Sequence, residues 1–148
     1  MHSRENSAYR LDVAREALGF AEAEAKERRW PACLNYSQQA VESAGKSIVL
    51  HFRPIPRTHD VDELLDDLLA SQVVSKAIES FLSANMDIFR EMGMDTHIRA
   101  AYGDEDARMT PGALIQEAEA MSSLRKARRA VALAEEIFSE MTKPPSKK

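Results

Sequence analysis

Cations and histidines crowd one stretch of this chain. Between Pro31 and His59 lie Lys46, Arg53 and Arg57, with His51 and His59, against one acid, Glu42. The planar fork of arginine holds phosphate oxygens, and a histidine with a pKa of about 6.5 exchanges protons near neutrality, so this composition fits a small phosphate site. The next residues reverse the sign: Asp60, Asp62, Glu63, Asp66 and Asp67 supply five acids and no base. A second basic zone, Arg125-Lys126-Ala127-Arg128-Arg129, puts Arg125 and Arg129 on one helical face. Glu135 and Glu136 follow within two turns, so local neutralisation is an equal reading of that zone.

Other chemistries lack their residues. Cys33 has no cysteine or histidine partner at metal-ligand spacing, so the expectation is buried packing, no metal and no disulfide. There is no phosphate-binding glycine loop, no Gly-x-Ser-x-Gly elbow and no close carboxylate pair on a shared apolar face, and no cofactor is expected. Glu42 and Lys46, four apart, are better placed as an ion pair than as a catalytic couple. The whole chain of 148 residues carries 20 Lys+Arg against 24 Asp+Glu, a net charge of −4 that offers RNA no broad surface to track. No segment approaches the roughly 20 apolar residues of a membrane helix. The N-terminal residues lack a signal-like apolar run, and the single cysteine suits a reducing compartment. A cytoplasmic protein without membrane contact is expected.

The elements that must position these groups are helical. Leu11, Ala14, Leu18, Ala21 and Ala25 recur at three- and four-residue steps and predict a first amphipathic helix. Trp30-Pro31 opens a second, to about Phe52, whose small middle (Ser37, Ala40, Ala44, Gly45) allows close approach of a neighbour. Arg53-Pro54-Ile55-Pro56-Arg57-Thr58 cannot continue a helix, because two prolines remove donors and fix φ. Asp60-x-x-Glu63 resembles a capping box and predicts a third helix bearing Leu64, Leu65, Leu68 and Leu69. A fourth is predicted from Val74 to about Glu91, then a loop from Gly93 to Met109. Thr110-Pro111 caps a last helix running to about Met141. The reading is all-α: an up-and-down antiparallel four-helix bundle with an additional short helix, over residues 8–142, and a disordered tail over 143–148.

Two stretches carry a resemblance. Asn35 to Ile48, with its Gln38-Gln39-Ala40-Val41-Glu42 and Lys46, followed by Pro56-Arg57-Thr58-His59-Asp60-Val61, resembles the HEPN domain family, in which such a helix and a Pro-containing turn lead to a Thr-His-Asp-Leu helix start. Arg99-Ala100-Ala101-Tyr102-Gly103-Asp104 before Thr110-Pro111 is similar to that family's Arg-Tyr turn ahead of its last helix. Gly45, Val61 and the two residues between Arg99 and Tyr102 depart from the pattern.

The resemblance implies a four- or five-helix domain, commonly dimeric, from microbial toxin–antitoxin and defence modules, often beside a nucleotidyltransferase. It also implies one of two activities. Some relatives are metal-independent ribonucleases using an arginine and a histidine, with four to six residues between them, at a dimer cleft; others bind nucleotides or partners. Arg90 and His97 have six residues between them and lie just before the last helix, as in catalytic relatives, while Gly93 interrupts the segment between them. Arg53 and His59 have five between them, two of which are prolines. For His59 a structural role, bonding neighbouring backbone or pairing with Asp60, is preferred. The leading expectation is a homodimeric module that binds a nucleotide or short RNA through Lys46, Arg53, Arg57, His59, Arg99 and Tyr102, with a nucleotidyltransferase as a further protein partner. The alternatives are a ribonuclease using Arg90 and His97, and a non-enzymatic scaffold that dimerises through the small-residue seam of the second helix.

Overall fold

Three long helices and a chain of short ones make up the computed structural model, which describes residues 2–56 and 60–144. The long ones are α1 (His2–Lys26), α2 (Trp30–Leu50) and α8 (Glu117–Met141). Between α2 and α8 lie α3 (Val61–Ser71), α4 (Lys76–Ser83), α5 (Met86–Glu91), α6 (Met94–Tyr102) and α7 (Pro111–Leu114). No strand interrupts them among the described residues, where the one β-bridge joins Asp104 to Met109. The all-α expectation is therefore met.

Side-chain contacts fix the directions. The α1–α2 connection is three residues long and turns through Arg28 at φ 58, so these helices are antiparallel neighbours. Arg15 pairs with Glu135 and Glu22 with Arg128, so α8 runs antiparallel to α1. Cys33 lies against the Ala120 carbonyl and His51 against Phe138, so α8 runs parallel to α2. Asp87 meets Arg129 and Glu91 meets Lys126, while His97 meets Asn35, so α5 and α6 together run back antiparallel to α2 and α8. The up-and-down order is thus α1, α2, α5 with α6, and α8.

The third bundle helix differs from expectation. The predicted 74–91 helix is two pieces, because the Asn85 side-chain amide donates to the Phe81 carbonyl and competes with the helical ladder. The predicted loop at 93–109 contains α6, which restarts from an extended Gly93. The last helix also breaks: Thr110 accepts from the Ala113 N–H as a cap should, but buried Ile115 is extended and α8 begins afterwards. Asp60 does hold the N-cap position of α3, without the side-chain bond a capping box supplies. Of the expected tail, residues 145–148 lie outside the described residues.

α2 is apolar or small on nearly every side, and that suits a central helix. Its buried residues include Leu34, Ala40, Val41, Ala44, Ile48 and Val49, packed with Leu11 and Ala14 of α1 and Leu124, Val131 and Ile137 of α8. The small-residue seam is consumed within the chain, since Ser37, Ala40 and Ala44 are fully buried. It is therefore not a surface on which a mate can pack, as the scaffold reading had it.

Gly45 shows what the seam is for. A Cβ there would stand 2.5 Å from Val61 Cγ2 and 3.1 Å from Phe89 Cε1, so its missing side chain lets α3 and α5 seat on α2. Gly45→Ala should destabilise by about 1–2 kcal/mol, because overpacking outweighs the roughly 1 kcal/mol of helix propensity gained. In a Val61→Ala background the same change should be neutral or stabilising, and equilibrium unfolding of the four variants measures the reversal.

Candidate functional site

The two ends of the first helical hairpin enclose a cleft. The first turns of α1 bring Ser3, Asn6, Tyr9 and Arg10 over the end of α2 and the proline connector, Leu50 to Ile55, around about 620 Å³. His51, which lines it, is tied to a buried polar knot. Ser47 Oγ donates to the Ser7 carbonyl at 2.8 Å, and Ser7 Oγ donates to the Ser47 carbonyl at 2.7 Å. Both hydroxyl protons are then committed. With those protons so placed, the 2.8 Å contact between Ser7 Oγ and His51 Nε2 takes its proton from the ring, which puts a hydrogen on Nε2.

That accounting excludes one chemistry. Ser7 is fully buried and receives, rather than gives, the proton it shares with His51, so this serine–histidine couple is a structural clamp and not an activated nucleophile. The ring also packs against Phe52 and Phe138. Burial pushes its pKa down from 6.5 to about 4.

The pH dependence follows from that direction. Between about pH 4 and 6.5 the unfolded chain binds a proton that folded His51 refuses, so its contribution is complete above pH 6.5 and is lost as pH falls toward 4. The ring is partly exposed, so screening leaves an expected loss of about 1–2 kcal/mol. His51→Gln keeps a donor to Ser7 and removes the titration. Denaturant unfolding at pH 7 and pH 4.5 should show the wild type losing about 1–2 kcal/mol more than this variant.

The cations singled out by sequence fall into different settings. Arg53 lines the His51 cleft, donates to Ser71 Oγ at 3.2 Å and has no ion pair among the described residues. Lys46 lines an adjoining cleft of about 540 Å³, with Gln38, Asp60, Asp62 and Phe89, and is held by Glu42 at 2.8 Å. Burial would raise the Glu42 carboxyl, but hydrogen bonds from Lys46 and Gln38 and the nearby charges of Lys46 and Arg10 bring it below its ordinary value. Arg10 lies between the two clefts and lines both. Arg57 and His59 lie outside the described residues.

Arg99 and Tyr102 belong to a third cleft, of about 490 Å³, between α6 and the 103–106 turn. Arg99 grips both oxygens of Glu119, at 2.7 and 3.0 Å, and Asp95, Asp104, Glu105 and Asp106 line the same space. Arg90 and His97 have separate partners. The Arg90 guanidinium straddles the Asp66 carboxylate on α3, at 3.0 to 3.3 Å, whereas His97 Nδ1 lies 3.2 Å from Asn35 Oδ1 on α2. The Arg125–Arg129 zone is neutralised, but by other helices: Lys126 by Glu91, Arg128 by Glu22 and Arg129 by Asp87.

Tyr9, Arg10 and the Ser7–Ser47–His51 knot escaped sequence reasoning as site components. The available signal was register: Ser7 precedes Leu11 and Ala14, and Ser47 follows Ala40 and Ala44, on faces that are otherwise apolar.

The family model of the HEPN domain matches residues 7–143. The chain belongs to the HEPN domain family. The resemblance seen over Asn35–Val61 therefore extends along nearly the whole HEPN bundle. A crystal structure of TT1696 from Thermus thermophilus superposes with a TM-score of 0.63 at 21% identity, covering 88% of this chain and 97% of that one, and shares the fold. Comparison with curated proteins finds no match. Membership places the protein in a family of nucleotide-binding and ribonuclease-like modules. Among the described residues no helix is long and apolar enough to cross a membrane, and no group of three or more potential ligands could hold a metal ion.

Proposed function

We propose that this HEPN protein is a nucleotide- or short-RNA-binding module that holds a terminal phosphate in the His51 cleft, acting as a homodimer within a toxin–antitoxin or nucleotidyltransferase-associated system. One observation carries the site: Arg10 and Arg53 line the same cleft, and neither has an ion pair among the described residues. Tyr9, 60% exposed at the same rim, offers a face on which a base can stack. Lys46 and Arg99 are weaker phosphate contacts, because each would have to leave a carboxylate. Neutral His51 forms the floor and adds no repulsion to a bound base.

Nucleoside monophosphates and 5′- or 3′-phosphorylated hexamers should raise the thermal midpoint. Arg53→Gln and Arg10→Gln should each weaken binding about tenfold or more, the scale of a lost charged hydrogen bond. Tyr9→Ala should weaken nucleotides and leave inorganic phosphate unchanged. Absence of any shift with every nucleotide and RNA end would sink this reading.

The ribonuclease reading has its own support. Nδ1 of His97 faces the Asn35 carbonyl oxygen, an arrangement that orients the ring and leaves Nε2 open for proton transfer. Arg90 would have to exchange Asp66 for phosphate to take part. Cleavage of RNA in chelator, abolished by His97→Ala, is the expected result under this reading, and cleavage that survives the substitution removes His97 from the mechanism.

A further inference from the structure

The outward face of α6 is left uncovered among the described residues. Met94, Ile98 and Tyr102 recur at four-residue steps, are 55%, 46% and 64% exposed, and form one stripe, while Thr96 and Ala100 face inward. Exposed apolar side chains scattered singly are ordinary, but a row of three along one helix face is a patch. Beside it runs the acidic lining of the third cleft: Asp95, Asp104, Glu105 and Asp106 have no ion pair among the described residues. Three of these acids follow the C-terminal end of α6, where the helix dipole disfavours anions. The charge of Arg99 reaches Asp95 and Asp104, but its guanidinium is already gripped by Glu119.

We infer that the α6 stripe and its acidic border form a docking surface for a basic amphipathic helix of another protein, with apolar side chains seated along Met94, Ile98 and Tyr102 and lysines or arginines facing Asp95 and the 104–106 turn. Charge selects this occupant over a second copy of the chain. A two-fold contact through α6 would set the four carboxylates against their own equivalents, a juxtaposition that costs several kcal/mol. On α8 the basic strip is already spent, with Lys126, Arg128 and Arg129 paired to Glu91, Glu22 and Asp87, so that helix is not the basic face a head-to-tail copy would offer. The surface is separate from the His51 cleft, so the two stand or fall independently.

The probe is a fluorescent 14-residue peptide of leucine and lysine at helical spacing, followed by anisotropy against the full chain. Two controls accompany it: the same composition with the apolar stripe scrambled, and glutamate in place of lysine. Saturable binding of the first peptide is expected, at least tenfold tighter than either control. Ile98→Gln should weaken it tenfold or more, the Asp95→Asn/Asp106→Asn pair should weaken it and flatten its salt dependence, and Arg53→Gln should leave it unchanged. Circular dichroism melts establish that the variants fold. Equal binding of the scrambled peptide, absence of binding, or indifference to Ile98→Gln overturns the proposal. So does a dimer in sedimentation that Ile98→Gln converts to a monomer, since a second copy would then own the face.

Discussion

Phe89→Ala should lower the free energy of unfolding by about 3–5 kcal/mol, among the largest losses expected of any single truncation in this protein. Phe89 is 1% exposed, and its ring edge stands where a Gly45 side chain would be. It therefore fills the junction of α2 with α3 and α5. Removing the ring leaves a cavity that the neighbours cannot easily close, because Gly45 has nothing to extend into it and Val61 is a short, stiff side chain on a helix start. Phe20→Ala serves as the comparison: its side chain is 47% exposed against Tyr36, and the expected loss is about 1 kcal/mol or less. Chemical denaturation followed by circular dichroism checks both. Equal losses from the two would mean that the α2–α5 junction is not the tightly packed seam described above.

Gly103→Ala should cost about 2–4 kcal/mol, by a different route. Gly103 ends α6 at φ 74 and ψ −145, a region nearly closed to residues with a Cβ. An added Cβ would also collide with the Met109 carbonyl oxygen and stand 2.8 Å from the Thr110 carbonyl carbon, atoms of backbone that cannot rotate away. The 104–109 hairpin, closed by reciprocal bonds between Asp104 and Met109 at 2.9 Å, would have to open. Amide exchange should then accelerate across residues 103–110 while the core amides of α2 keep most of their protection. Global loss of protection without a local change would contradict this account. Because the hairpin carries three of the four acids bordering α6, the same variant should also weaken binding of the leucine–lysine peptide.

How much of this was legible depended on whether a residue's role is local. The helical class, the α2 boundaries, the cap at Thr110 and the burial of Cys33 follow from periodicity and end signals, which are written in neighbouring residues. α6 was missed because its amphipathicity is inverted: its large apolar residues face outward and its buried face is Thr96 and Ala100. Its start offers glycine in place of a capping side chain. The break at Asn85 depends on one side-chain bond, and Asn85 is as compatible with a helix surface as with a stop. The family was legible in the α2 stretch. The site was less so, since what separates Arg53 from Lys46, Arg90 and Arg99 is whether a carboxylate from elsewhere reaches it, and that is set by packing. Arg10 sits on the polar face of α1 and becomes notable only when the end of α2 closes over it.

The central place of α2 has a consequence for how the protein is made. Its side toward α1 can be covered as soon as the first hairpin forms, a local event. Its side toward α8 waits for residues 117–141, which are separated from Leu50 by 66 to 90 intervening positions. At a synthesis rate of about 5–20 residues per second, Val41 and Ile48 stay partly uncovered on each new chain for roughly 3 to 20 s. Until α8 emerges, the nascent chain presents an apolar stripe at its middle, a target for chaperones and a place where two chains on one polysome can stick together.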